Sequence, residues 1–378
     1  MKGIVFEGGG ARGAYQMGAV KALHEMGFEF DAVAGTSVGA INGVAVAQDD
    51  IPGAYEIWNE LEPDKVFRTE ELHNAKKSRE DFVRFLKKII EDRGIDTEPL
   101  NCIIRGFVNE DRIRSRNVIF GIVTVSVSEM RPVEIYLEDI PKGRLSDYII
   151  ASANFPLFKR ARIGDMKFSD GGLYNNYPIN MLINRGVKDI VSVRTFSLGV
   201  IRNFDLGDCK LTKIEPREKL GHILDFSKER IGRNLKLGYC DAYKAIKKYS
   251  GSIYYLENDL DEEYFHRKLF SIDPEKLTSL AGSMGTENSD PRRFLFETLI
   301  PKVSEYLDLG RDAGYRDIIL QIFELLAAEK GIERFRTYRC SEFLRMVAAD
   351  YREAESPDIL KHLPGFLARN DLLPNKTY

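Results

Sequence analysis

Three observations predict an α/β fold: a mainly parallel central sheet with a helical C-terminal extension. Residues 1–7 form a β-compatible run that passes through Gly8-Gly9-Gly10-Ala11-Arg12-Gly13 into a helical stretch, Ala14 to Met26. Phe30-Asp31-Ala32-Val33-Ala34 repeats the pattern, turning at Gly35-Thr36-Ser37-Val38-Gly39 into the small apolar run Ala40–Ala47. Strand and helix signals then alternate to about residue 200, as a parallel sheet requires.

Strands are expected near 3–7, 31–35, 117–127, 132–137 and 189–196, with a hairpin at 160–169 around a Gly-Asp turn. The apolar run Val118–Val125 reads as a buried central strand. Residues 53–116 read as charged helices. In them Phe82, Phe85, Leu86, Ile89 and Ile90 oppose Arg84, Lys87 and Lys88, a stripe suited to core packing or to a lipid surface. Glu215–Tyr249 reads as one long helical stretch, interrupted near Gly232 or Gly238 and followed by a strand at 252–256 that returns to the main domain. The first domain is placed at 1–258 and a mainly helical region at 259–378. Gly282, Gly285, Asn288, Ser289 and Pro291 mark a connector or lid. In the tail at 304–372, Ile318-Ile319, Ile322-Phe323 and Leu325-Leu326 recur at helical spacing and are expected to pack inward.

A net charge of −3 over 378 residues gives no reason to expect nucleic acid. No apolar run approaches the ~18–20 residues of a spanning helix, and a first strand at the N-terminus leaves no room for a signal peptide. A cytoplasmic protein is expected, with peripheral membrane contact allowed. Cys102, Cys209, Cys240 and Cys340 stand far apart without metal-ligand spacing, so reduced thiols and no metal are expected.

Gly35–Gly39 is a GxSxG in strand–turn–helix context, where a serine sits on a strained corner with its hydroxyl exposed. The Gly8–Gly13 turn presents backbone N–H groups at the positive end of a helix, fit for a phosphate or an oxyanion. It also reads literally as GxGxxG, and Asp31 lies near where a dinucleotide's ribose would need an acid. A dinucleotide-binding oxidoreductase is thus one reading. A serine hydrolase is the other, and it alone uses both turns. Asp170-Gly171-Gly172 ends the hairpin, where an aspartate before glycine is most often turn chemistry.

Together the Gly8–Gly13 turn, the Gly35–Gly39 elbow and Asp170-Gly171-Gly172 resemble the patatin-like phospholipases, serine acyl hydrolases with a Ser–Asp dyad. Ala151-Ser152-Ala153-Asn154-Phe155-Pro156 and Asn175-Asn176-Tyr177-Pro178 add to the likeness, which covers roughly residues 1–200 with an echo near Gly238-Tyr239. Glu7 stands where many members carry aspartate.

The resemblance implies a three-layer fold and hydrolysis of a lipid or lysolipid ester without a cofactor. Ser37 would be the nucleophile and Asp170 the general base, with N–H groups of Gly8, Gly9 and Gly10 holding the oxyanion. Gly13, Gly35, Gly39, Gly171 and Gly172 would shape the turns. Arg12 would orient the oxyanion turn or meet a phosphate, unless it is a structural cation. A carboxylate is a weak base, which leaves room for a histidine-completed triad using His222, His266 or His362. None of these, nor His24 or His73, occupies a recognisable strand end or glycine turn, and the dyad is preferred. A catalytically silent scaffold that binds a partner through its C-terminal helices is the third reading.

Overall fold

The computed structural model of the chain describes residues 1–68, 94–286, 290–310 and 313–349, in two compact units, Met1–Ile246 and Lys247–Tyr378. The first unit holds an eight-stranded sheet. Its strands are β1 (Lys2–Phe6), β2 (Ala32–Thr36), β3 (Ile119–Ser126), β4 (Arg131–Tyr136), β5 (Ala161–Ile163), β6 (Met166–Asp170), β7 (Asp189–Val193) and β8 (Lys210–Ile214). β3, β2, β1, β7 and β8 lie side by side and parallel, while β4 and β6 pair antiparallel to β3.

The strands at the centre are apolar on both faces because both faces are covered. Val5, Ala32, Ala34, Val123 and Ile190 form one face and pack on Ile179, Met181 and Leu182 of the helix Ile179–Asn184. Phe6, Val33 and Phe120 form the other, against which α2 (Val38–Gln48) lies so closely that side chains at Gly39 and Gly43 would press on them. The result is three layers, helix on sheet on helix. α1 (Gly13–Glu25) is buried on nearly every side, which explains its weak amphipathicity. α3 (Ile51–Glu60) starts where the Asp50 carboxylate accepts the Gly53 N–H at 3.1 Å, with Pro52 in the first turn.

Several expectations change. The helix Lys228–Lys247 runs unbroken through Gly232 and Gly238. Gly238 is there for close approach instead: a Cβ on it would collide with the Tyr15 carbonyl of α1. Residues 215–227 are not helical, since Gly221 takes a φ of +86° and Asp225 turns back on Ser227, so the helix begins only at Lys228. β8 was not expected; it is an edge strand whose exposed Lys210 and Lys213 hide its pattern.

The second unit has its own core around Phe265, Leu277, Phe294, Leu320 and Phe343. It contains the helices Glu262–Phe270, Pro274–Ser283, Ile300–Tyr306, Tyr315–Glu329 and Cys340–Ala349. The short strand expected near 252–256 is β9 (Tyr255–Glu257), which pairs in parallel with β10 (Thr337–Arg339) and not with the large sheet. Glu324 is fully buried and takes the N–H groups of Ser252, Ile253 and Tyr254, fixing the loop before β9. The Phe82–Ile90 stripe, part of the loop near 282–291 and the tail beyond 349 lie outside the described residues. Among the described residues no helix is long and apolar enough to cross a membrane.

Candidate active site

β2 and β6 share one edge of β3. β2 ends at Thr36 opposite Val123, and β6 comes down the same edge to Asp170 opposite Thr124, because β4 holds the other edge. The two strands meet end to end, and the residue after Thr36 is Ser37. Its Oγ donates to Asp170 Oδ2 at 2.7 Å.

Ser37 has φ 58° and ψ −127°, a conformation a non-glycine residue adopts at a cost of about 1–3 kcal/mol. The turn is held because no side chain intrudes. A Cβ on Gly39 would strike the Phe6 carbonyl, and one on Gly35 would strike Gly39 itself. The Ser37 N–H donates to Ser152 Oγ at 2.9 Å, and Ser152 Oγ donates to the Val123 carbonyl at 2.6 Å. Sequence reasoning marked the Ser152 segment by likeness alone and missed this contact.

Asp170 Oδ1 accepts the Gly172 N–H at 2.7 Å, in the short turn Gly171–Leu173. Burial pushes the Asp170 carboxyl up to about 6, although the bonds from Ser37 and Gly172 favour the charged form.

The glycine turn after β1 is divided in its use. The Gly8 N–H donates to the Asn176 carbonyl at 3.1 Å, so it is already committed and does not match the expected oxyanion role. The Gly9 and Gly10 N–H groups have no acceptor among the described residues, and both glycines line the same cavity as Ser37. Gly13 opens α1, and its carbonyl takes the Asn42 amide at 2.9 Å while Asn42 Oδ1 takes Trp58 Nε1 at 2.8 Å. This pins α1, α2 and α3 together.

Charged groups brace the turn from behind. Glu7 is fully buried; its Oε2 accepts from Arg194 Nε at 2.8 Å and from the N–H groups of Thr195 and Phe196 at 2.8 and 3.1 Å. Arg12 donates to the carbonyls of Gly221, Thr195 and Phe196 at 2.9, 3.2 and 2.8 Å. Burial lowers its pKa and nearby Glu7 opposes that. Its guanidinium is therefore spent on backbone, the structural alternative of the two expected for it.

Ser37, Asp170, Gly9, Gly10 and Gly172 open on a cavity of about 400 Å³ whose walls are mostly apolar, among them Ile41, Trp58, Leu61, Ile104, Phe158 and Phe226. No described histidine lines it. His24, His222 and His266 are exposed, with His222 in a turn and not in the helical stretch expected from Glu215. His73 and His362 lie outside the described residues. Asp31 accepts the Lys2 N–H at 2.8 Å at the start of β2, the edge opposite the glycine turn.

Residues 4–183 match the model of the patatin-like phospholipase family. A patatin-like phospholipase domain-containing protein of Caenorhabditis elegans is 27% identical over 222 residues, 54% of this chain and 14% of that protein. Lysophospholipase nte1 of Aspergillus terreus is 53% identical over 47 residues, 12% of this chain and 3% of that protein. The chain thus spans a small part of the length of these relatives. VipD from Legionella pneumophila shares 14% identity, covering 98% of this chain and 87% of that one, with a TM-score of 0.40. Residues 4–183, somewhat under half of the chain, are thus matched by the patatin-like phospholipase family, and relatives that carry the same domain align with the chain.

Proposed function

We propose that this domain hydrolyses a carboxylic ester of a lipid, of phospholipase A or lysophospholipase type, through a Ser37–Asp170 dyad. The observation that carries the proposal is the 2.7 Å bond between Ser37 Oγ and the Asp170 carboxylate at one end of an apolar cavity. Asp170 takes the hydroxyl proton as Ser37 Oγ attacks the ester carbon. The Gly9 and Gly10 N–H groups, with the Val38 N–H at the start of α2, receive the oxyanion. Collapse breaks the ester C–O bond, and Asp170 returns the proton to the departing alcohol. Water then repeats the cycle on the acyl-enzyme with Asp170 as base, releasing the acid and restoring Ser37. The cavity walls are suited to an acyl chain.

The dinucleotide reading finds no comparable support. A ribose-binding acid belongs at the end of β2, and that place is held by Ser37, while Asp31 sits at the opposite edge and is bound to the backbone of Lys2.

The test is labelling by a fluorophosphonate probe, read by mass spectrometry at Ser37, together with fatty-acid release from phosphatidylcholine and lysophosphatidylcholine. Folded protein that neither labels nor releases acid rejects the proposal and favours the silent scaffold. The base must be ionised to act, so kcat/KM on a neutral ester should rise with pH through a single ionisation near 6, the value to which burial pushes Asp170. A profile flat from pH 5 to pH 8 would remove Asp170 from that role.

A further inference from the structure

The loop that follows β7 presents apolar side chains to water although its backbone is tied down. Leu198 is 99% exposed, Phe196 51%, Val200 46% and Ile201 44%, and Leu173 beside Gly172 is 55% exposed. Arg12 and Glu7 hold the backbone of Thr195 and Phe196 at one end. At the other, the Val200 N–H donates to the Gly172 carbonyl at 2.9 Å and the Val200 carbonyl accepts the Asn176 N–H at 2.6 Å. Phe196 sits at φ 48°, a conformation a bulky residue rarely takes. The clamps impose it, and strain of this kind persists only where its surroundings enforce it.

The same clamps join this loop to the two turns that carry the proposed oxyanion donors and Asp170. Leu198 and Leu173 also line the cavity that holds Ser37, so the exposed patch is the rim of its opening. Arg202 follows the patch, its guanidinium 4.9 Å from the Tyr174 ring and without a carboxylate partner among the described residues.

We infer that Phe196–Ile201, with Leu173, is a docking surface for a lipid bilayer, which brings the cavity mouth against the acyl region while Arg202 meets phosphate headgroups. An insoluble acyl chain has no low-energy route through water, and an apolar rim continuous with an apolar cavity supplies one. The inference rests on the hydrolase reading for its purpose, but the binding it asserts is measurable without turnover.

The experiment is co-sedimentation of the full chain, carrying Ser37→Ala so that vesicles stay intact, with phosphatidylcholine vesicles with and without phosphatidylglycerol. Leu198→Glu and Ile201→Glu are each expected to lower the partition coefficient by about tenfold or more. His24→Glu, an exposed change of equal charge in the last turn of α1, at the end of that helix away from the glycine turn, should leave it unaltered. In the Ser37 parent, Ile201→Glu should keep turnover of a short soluble p-nitrophenyl ester while turnover on vesicles falls with binding. The inference is overturned if the Ser37→Ala protein does not bind either vesicle, or if both rim variants bind as it does. A concentration-dependent dimer that Ile201→Glu dissociates would also overturn it, with a second copy as the occupant. Vesicle binding that depends on the rim, without any ester turnover by the parent, would retain the docking surface and reject the hydrolase.

Discussion

Ser37→Ala is expected to reduce ester turnover on the order of 10⁴–10⁶-fold while the protein stays folded, because a covalent route has no substitute for its nucleophile. The elbow would survive, since its shape depends on the close approach of Gly39 to Phe6 and on the Ser37 N–H bond to Ser152, neither of which involves the hydroxyl. Removing Oγ also deprives Asp170 of one of the two bonds that favour its ionised form. Its pKa should then rise beyond about 6, visible as a protonated carboxyl band in difference infrared spectra at neutral pH. Stopped assays of the purified variant beside its thermal melt decide the matter. A folded Ser37→Ala protein within tenfold of the parent would end the acyl-enzyme proposal.

Asp170→Asn should lower turnover by about 10²–10⁴-fold, the usual share of a general base, and at the same time raise stability at neutral pH. The carboxyl titrates near 3.8 when unfolded and about 6 when folded, so the folded state holds the proton more tightly. Its contribution to stability is therefore complete below about pH 3.8 and is lost as pH rises through 6. At pH 8 the buried charge works against the fold by at most about 3 kcal/mol, at roughly 1.4 kcal/mol per unit. Asparagine is nearly isosteric and can still accept the Gly172 N–H, but carries no charge. The variant should therefore melt higher than the parent at pH 8, and the gap should narrow toward pH 4. A variant that melts lower at pH 8 would mean that lost hydrogen bonds outweigh the removed charge.

The three turns at the centre of the site were legible because each depends on local chemistry. A strand must bend sharply at Gly35–Gly39, and an aspartate before Gly171 can reach the following N–H. The partners of those turns were not legible. Ser152 touches the Ser37 backbone across 115 residues, and Glu7 meets Thr195 across 188, contacts that only the folded sheet brings about. The commitment of the Gly8 N–H to Asn176 is likewise a tertiary fact. Gly238 misled for a related reason: in one dimension a glycine in a helix looks like a break, whereas in three it is where α1 passes. β8 escaped notice since an edge strand shows only part of its alternation.

Asp170 owes its position to a ladder only three residue pairs long, Thr124–Asp170, Val125–Ser169 and Ser126–Phe168. Side chains on a strand alternate, so a slip of one residue would move Asp170 by about 3.3 Å and turn its carboxylate to the opposite face. The hairpin that feeds β6 can therefore vary in length at its Gly164-Asp165 tip, where an insertion is absorbed away from the ladder. Between Phe168 and Asp170 it can neither gain nor lose a residue without losing the alignment. Freedom for this segment to diverge in length ends where its pairing with β3 begins.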